Sequence, residues 1–239
     1  YSLFLTYLSF NNNKKTKNFM KKPRIQKKGI IMFMPVIGTG GVEKNLFQIT
    51  NYLATKIKNV KVCTTTKNIS RKFDKNTKII SDKFKNLEKI NIRLRYLICL
   101  FNLYNFLKKN NDYIVLAFQA NIYCVLVCKL LNIDIIVRSN TSPAGWRHNS
   151  IKEFIYKKII KNTNVFLVNS IEFQKQIQKK YNINVKCILN PLNTTQILKN
   201  LELKKSTNTF FKKGNKSLKL INIGRLTDQK DQITLIKAL

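Results

Sequence analysis

Six short runs rich in β-branched and aromatic residues, at 30–35, 60–65, 113–118, 134–138, 165–168 and 185–189, alternate along this chain with stretches whose apolar residues recur at helical spacing. The runs are too continuous for half-exposed strands, in which apolar and polar residues would alternate with a period of two. Strands apolar on both sides belong in a parallel sheet covered by helices, because each parallel connection needs a crossover long enough to hold one. The intervening stripes supply those helices. Val42, Leu46, Ile49 and Leu53 form one, residues 94–107 a larger one, and Ile151, Phe154, Ile155 and Ile159 a third. Ser170 stands where its hydroxyl can accept from the unpaired amides that open a helix carrying Phe173 and Ile177. The longest uncharged stretch, 113–128, is interrupted by Gln119 and Asn121 and falls short of the about 20 apolar residues of a membrane span, so it reads as a buried strand followed by a buried helix. The expected fold class is therefore α/β, a Rossmann-like, doubly wound parallel sheet whose ligands bind outside the carboxyl ends of the strands.

A chain of 239 residues accommodates one or two such domains. Residues 1–19 begin without methionine and place their apolar run ahead of the cations, the wrong order for a secretory signal, so they are expected to be upstream sequence or disordered, with Met20 as the start. The amino-terminal domain is assigned 20–198. Within it, 67–89 has no clear period and reads as a variable excursion, and Asn190-Pro191 ends the sixth strand. The polar, lysine-rich segment 199–216 reads as a linker. Residues 217–239 read as the start of a second, truncated Rossmann-like domain, in which a buried strand breaks at Gly224 before another helix.

Charge is the most unusual bulk property: 45 Lys and Arg against 11 Asp and Glu give a formal net charge of +34. Lysine is strewn over nearly every segment together with many Asn and Ile, while Gly and Pro are scarce, a pattern that fits an A/T-rich codon bias. The excess also attracts anionic lipid or a nucleotide diphosphate. A specific nucleic-acid site calls for aromatics interleaved with surface cations, whereas the aromatics here fall mostly on apolar stripes and strands. Five cysteines, Cys63, Cys99, Cys124, Cys128 and Cys187, lie mostly within apolar runs with no C-x-x-C pair, and read as small core residues in a reducing, cytoplasmic compartment. The chain has a single histidine, so ligands for a metal are lacking and neither metal nor cofactor is expected.

Three segments can carry chemistry. Gly40 and Gly41 sit where the first strand hands over to a helix, so backbone amides can face an anion that the absence of Cβ allows to approach. A tight turn with no ligand explains the same glycines. Near the other end, Gly224 precedes Arg225, a planar fork, and Lys230, a point charge, both suited to phosphate oxygens. In so basic a chain, each is equally readable as a solvated cation. The loop 138–149, after the fourth expected strand, holds the only Trp and only His: Trp146 offers a stacking face, and Arg138, Asn140 and His148 offer hydrogen bonds to an acceptor. The plain alternative is a Pro/Gly lid that Trp146 packs down.

Gly40-Gly41-Val42-Glu43-Lys44 resembles the GGxE-(R/K) element of the group 1 retaining, GT-B-fold glycosyltransferases. Val168-Asn169-Ser170 resembles their V-x-S strand end, Asn190-Pro191 falls where they carry a PNG-type turn, and Gly224-Arg225-Leu226 with Gln229-Lys230-Asp231 resembles their GRL…QKG element. The loop opening Arg138-Ser139-Asn140 looks like that of members that extend surface polysaccharides or lipid-linked oligosaccharides. The resemblance implies transfer of a sugar from a nucleotide-sugar donor, usually a UDP-sugar, with retention and without a metal. It also implies that Arg225 and Lys230 neutralise the leaving diphosphate, that Gly40, Gly41 and Gly224 approach it, and that Asn140 or His148 stands on the catalytic side. Asp231 replaces the usual Gly and is expected to cap the following helix. The family's E-x7-E motif would fall beyond Leu239, so the chain by itself is expected to be inactive. Its place would be cytoplasmic, peripheral at the inner membrane face. The rival readings are a basic nucleic-acid-binding α/β protein and another enzyme of the same two-domain type, such as an epimerase or phosphorylase.

Overall fold

The computed structural model describes residues 27–81, 87–141, 150–203, 219–224 and 226–238. The chain divides into two compact units, Tyr1–Leu192 and Asn193–Leu239. The first contains β1 (Gly29–Phe33), β2 (Val60–Cys63), β3 (Lys78–Ile80), β4 (Tyr113–Ala117), β5 (Ile135–Ser139), β6 (Val165–Val168) and β7 (Val185–Cys187). They form one sheet in the order β3-β2-β1-β4-β5-β6-β7, and every pairing is parallel. The helices of this unit are α1 (Gly41–Ala54), α2 (Ile92–Lys109), α3 (Asn121–Leu130), α4 (Ser150–Ile160) and α5 (Ile171–Tyr181). The Rossmann-like α/β class is thus the observed one, and all six expected strands are present. The seventh, β3, lies inside the stretch 67–89, where no period was legible. It is a three-residue edge strand paired with β2, too short and too half-exposed to leave a sequence pattern.

Strand alternation divides the core between two faces. Ile31 and Phe33 point to one, with Val115, Val137 and Phe166, against Cys99, Leu103 and Leu107 of α2, Cys124 and Cys128 of α3, Tyr156 of α4 and Ile177 of α5. Ile30 and Met32 point to the other, with Val62, Leu116 and Leu167, against Leu46 and Leu53 of α1. Burying each such side chain stabilises the fold by about 1.5–3 kcal/mol. Four cysteines are buried and Cys187 half-buried, all free. The Cys63 and Cys99 sulfurs lie 3.7 Å apart, and burial pushes the Cys99 and Cys124 thiols well up. They behave as core residues. Ser170 caps α5, accepting from the Glu172 amide at 3.2 Å, and Asn91 does the same for α2, accepting from Arg93 at 2.9 Å. Among the described residues no helix is long and apolar enough to cross a membrane.

The second unit contains α6 (Thr194–Leu203) and α7 (Gln232–Lys237). Two expectations change here. Residues 199–203, assigned to a linker, continue the helix α6, which Asn193 opens by accepting from the Gln196 amide at 3.0 Å. The expected buried strand before Gly224 is extended chain that pairs with no strand among the described residues, and Ile223 is 88% exposed. An apolar run becomes a parallel strand only when neighbours supply both its hydrogen bonds and its cover.

Candidate functional site

The chain runs outward from β1 through β2 to β3, then returns to place β4 on β1's other side. Strand order reverses there, the position from which sheets of this kind present their ligand contacts at the strands' carboxyl ends. Met34 continues β1 briefly by donating to the Cys63 carbonyl at 3.1 Å. The backbone then turns through 38–40, and Gly40, in extended conformation, precedes α1 without a side-chain cap. The Glu43 carboxylate folds back over this turn: a Cβ on Gly40 would lie 2.7 Å from Glu43 Oε2, and one on Gly38 3.4 Å from Oε1. Glu43 thus lies close over Gly40 and places its own negative charge at the positive end of α1. Gly41 differs, because a Cβ there meets nothing within 4 Å. Of the two glycines, Gly41 is the one that faces open space.

Beside this turn stand Thr64, Thr65 and Thr66, directly after β2. Thr65 donates to the Pro35 carbonyl at 2.7 Å, Thr64 donates to the same oxygen at 3.3 Å, and Thr66 Oγ1 accepts from the Ile37 amide at 2.9 Å. Arg95, in the first turn of α2, donates through Nε to Thr65 Oγ1 at 3.2 Å and through a terminal nitrogen to Thr66 Oγ1 at 3.4 Å. Tyr96 donates to Gln119 Oε1, just past β4, at 3.5 Å. Burial raises the Tyr96 phenol, Arg95 opposes that shift, and Glu43 adds to it, so these groups share one electrostatic neighbourhood. The loops after β1, β2 and β4 thus converge with the start of α2 on a half-buried polar cluster. Sequence reasoning missed Arg95, Tyr96, Gln119 and the threonines. The available signal was the Thr triplet directly after a buried strand, the position from which a Rossmann-like sheet presents ligand contacts.

At the β5 to β7 end, Arg138 is 1% exposed. Its guanidinium donates to the Ile188 carbonyl at 3.1 Å and to Asn190 Oδ1 at 3.0 Å. It lines, with Ile49, Tyr52, Leu53, Leu116, Leu167 and Ile188, a cavity of about 30 Å³ beneath α1. Expected on the acceptor loop, Arg138 instead ties β5 to the segment after β7, because strand alternation turns it to the α1 face beside Ile136. Asn121 donates to the Arg138 carbonyl at 3.1 Å. The amide oxygens of Asn121, Asn140 and Asn169, which follow β4, β5 and β6, are buried and have no hydrogen-bond partner among the described residues. Trp146 and His148 lie outside the described residues.

In the second unit, Gly224 and Lys230 come together. A Cβ on Gly224 would lie 3.4 Å from Lys230 Cγ and 3.3 Å from Gln232 Nε2. Asp231, left-handed at φ 46°, caps α7 as expected, its Oδ1 accepting from the Thr234 hydroxyl at 2.8 Å and the Thr234 amide at 3.4 Å. Arg225 lies outside the described residues.

This architecture is shared with solved glycosyltransferases. The glycosyltransferase from Rickettsia africae ESF-5 matches with a TM-score of 0.52 and 16% identity, over 74% of this chain and 49% of that one. HepE from Anabaena, in complex with UDP-glucose, matches with a TM-score of 0.50 and 11% identity, over 73% and 49%. The chain spans about half the length of these structures. At such identities the likeness establishes the fold. No protein-family model matches the sequence, and no curated protein matches it.

Proposed function

We propose that this chain is part of a glycosyltransferase that moves a sugar from a nucleotide-sugar donor, most naturally a UDP-sugar, to a surface-polysaccharide or lipid-linked oligosaccharide acceptor. The observation that carries this reading is the parallel sheet with a polar cluster at its switch point, a fold it has in common with a protein solved with UDP-glucose. On this reading the transfer is retaining and metal-independent, as in the group 1 enzymes whose motifs the sequence resembles. Without a metal, the departing diphosphate needs fixed cations as the glycosyl bond breaks. The 224–230 turn supplies them: Gly224 lets the phosphates approach backbone, Lys230 lies across it, and Arg225 adds the guanidinium. Gly41 offers the open approach on the first unit, with Gly40 holding the turn around Glu43. Asn140, directly after β5, stands on the catalytic side, and His148 is the chain's one imidazole for proton transfer. The whole protein works in the cytoplasm, its cationic surface touching an anionic membrane.

Calorimetric titration of the whole protein with a UDP-sugar tests this. Arg225→Ala and Lys230→Ala should each weaken binding by at least about tenfold, the scale of a lost charge-assisted hydrogen bond. Gly41→Ala should leave the melting temperature unchanged or raised, since Ala is the better helix former, yet reduce affinity by crowding the ligand. Undiminished binding in all three variants would remove the proposal.

A further inference from the structure

Helices α2, α3 and α4 pack side by side on one face of the sheet, and each is apolar on two opposite sides. The inward side of α2 buries Cys99, Leu103 and Leu107. Its outward side carries Leu94, Leu97 and Phe101, at i, i+3 and i+7, with Leu97 61% and Phe101 62% exposed. Helix α3 repeats the arrangement: Cys124, Val125 and Cys128 face the core, and Tyr123, Leu126 and Leu130 face away, Leu130 at 75% exposure. Phe154 adds an exposed aromatic on α4. A surface helix normally has one apolar stripe, and apolar residues gathered on adjacent outer faces mark a surface that another phase or partner covers.

The same helices are strongly cationic. Arg93, Lys108, Lys109, Lys129 and Lys158 are exposed on them, and their one acidic side chain, Glu153, is paired with Lys180 at 3.1 Å. Apolar residues that reach out between exposed cations, with an exposed Tyr among them, match what an anionic bilayer interface offers: acyl chains below and negative headgroups above. A second copy of this chain fits less well, since the same cations would face one another. Nucleic acid fits less well too, because the stripe is mainly aliphatic and gives bases few rings to stack on.

The geometry points to the outer face of α2, α3 and α4 as a docking surface for an anionic lipid bilayer. This specifies the membrane contact included in the proposed function, and it stands or falls independently of sugar transfer. The start of α2 joins the two features: Leu94 and Leu97 are exposed on it, while Arg95 and Tyr96 between them bond into the polar cluster at the carboxyl edge. A protein docked through this face holds that edge beside the headgroups, where a lipid-linked acceptor would present its glycan.

Co-sedimentation of the whole protein with vesicles of equal parts phosphatidylglycerol and phosphatidylcholine, against phosphatidylcholine alone, tests the surface. Parent protein should partition onto the anionic vesicles, with part of the binding surviving high salt. L97S/F101S and, separately, L126S/L130S should lower partitioning by about tenfold and abolish the salt-resistant part, with circular dichroism unchanged because these side chains lie outside the core. Titration of the same variants with a UDP-sugar reads the proposed function separately. Parent-like vesicle binding by both variants would overturn the assignment. So would a dimer dispersed by these substitutions, or single-stranded DNA affinity lost in them while vesicle binding persists.

Discussion

Residues 29–33 (GIIMF) and 220–223 (LINI) are alike as strings, each an apolar run leading toward a glycine and a helix, yet they end in opposite environments. β1 pairs with β2 on one side and β4 on the other, and its residues are buried. The second run pairs with nothing among the described residues, with Ile221 and Ile223 open to solvent. The helix that follows each run forms in both places, because Gly41–Ala54 and Gln232–Lys237 have local starts, at Gly40 and at the Asp231 cap. Helix ends are written locally, whereas a parallel strand is conferred by its neighbours.

The sharpest way to break this contrast is to truncate an apolar side chain in each run. Phe33→Ala should destabilise the protein by about 3–5 kcal/mol in urea denaturation, and Ile223→Ala by less than about 0.5 kcal/mol; comparable losses would show that the second run is packed. Next in size is Arg138→Ala, which removes the buried guanidinium that donates to the Ile188 carbonyl and to Asn190 Oδ1 and should cost about 3 kcal/mol. An Arg138→Ala variant as stable as its parent would show the tie between β5 and the segment after β7 to be idle.

Alkaline pH gives a third test. Burial holds the Tyr156 phenol neutral far above its ordinary range, and Tyr181, whose ring lies 5.4 Å away, adds to this. The unfolded chain releases that proton near pH 10 and the folded chain does not, so ionisation favours unfolding. The contribution is intact below about pH 10 and declines by about 1.4 kcal/mol per pH unit above it. Tyr156→Phe should flatten the fall in melting temperature over that range, and an unchanged slope would refute the assignment. The smallest effect belongs to the exposed Glu153–Lys180 pair: Glu153→Gln should shift stability by less than about 1 kcal/mol and still less in high salt.

How much was legible in the sequence follows the same division. Strands β1, β4, β5 and β6 could be read because nearly all of their residues are buried, which leaves an almost unbroken apolar run; the edge strand β7 is only partly buried, and its run was legible because apolar residues continue past it through Ile188 and Leu189. β3 could not, since three residues at a half-exposed edge carry no period. Among site residues, Gly40 and Gly41 could be picked out from their place between a strand and a helix, whereas the Glu43 carboxylate beside Gly40 is a contact that only the structure shows. Arg138 was read as loop chemistry because it ends an apolar run; only the strand's register reveals that it turns inward beside Ile136. Arg95 and Tyr96 were hidden for a related reason. They lie within an amphipathic helix, and what makes them notable, contact with Thr65, Thr66 and Gln119, spans 23 to 30 positions of sequence.

The central proposal is that this chain binds a nucleotide-sugar through glycine turns, 38–41 in the first unit and 224–230 in the second, each of which follows an apolar run and precedes a helix. Amide hydrogen exchange on the whole protein, with and without a UDP-sugar, tests it most directly. The account predicts that ligand slows exchange at 38–41 and 224–231 and leaves the turns that lead into β4 and β5, 110–112 and 132–134, unchanged. Protection confined to those two turns, or absent from both glycine turns while the ligand is bound, would contradict it.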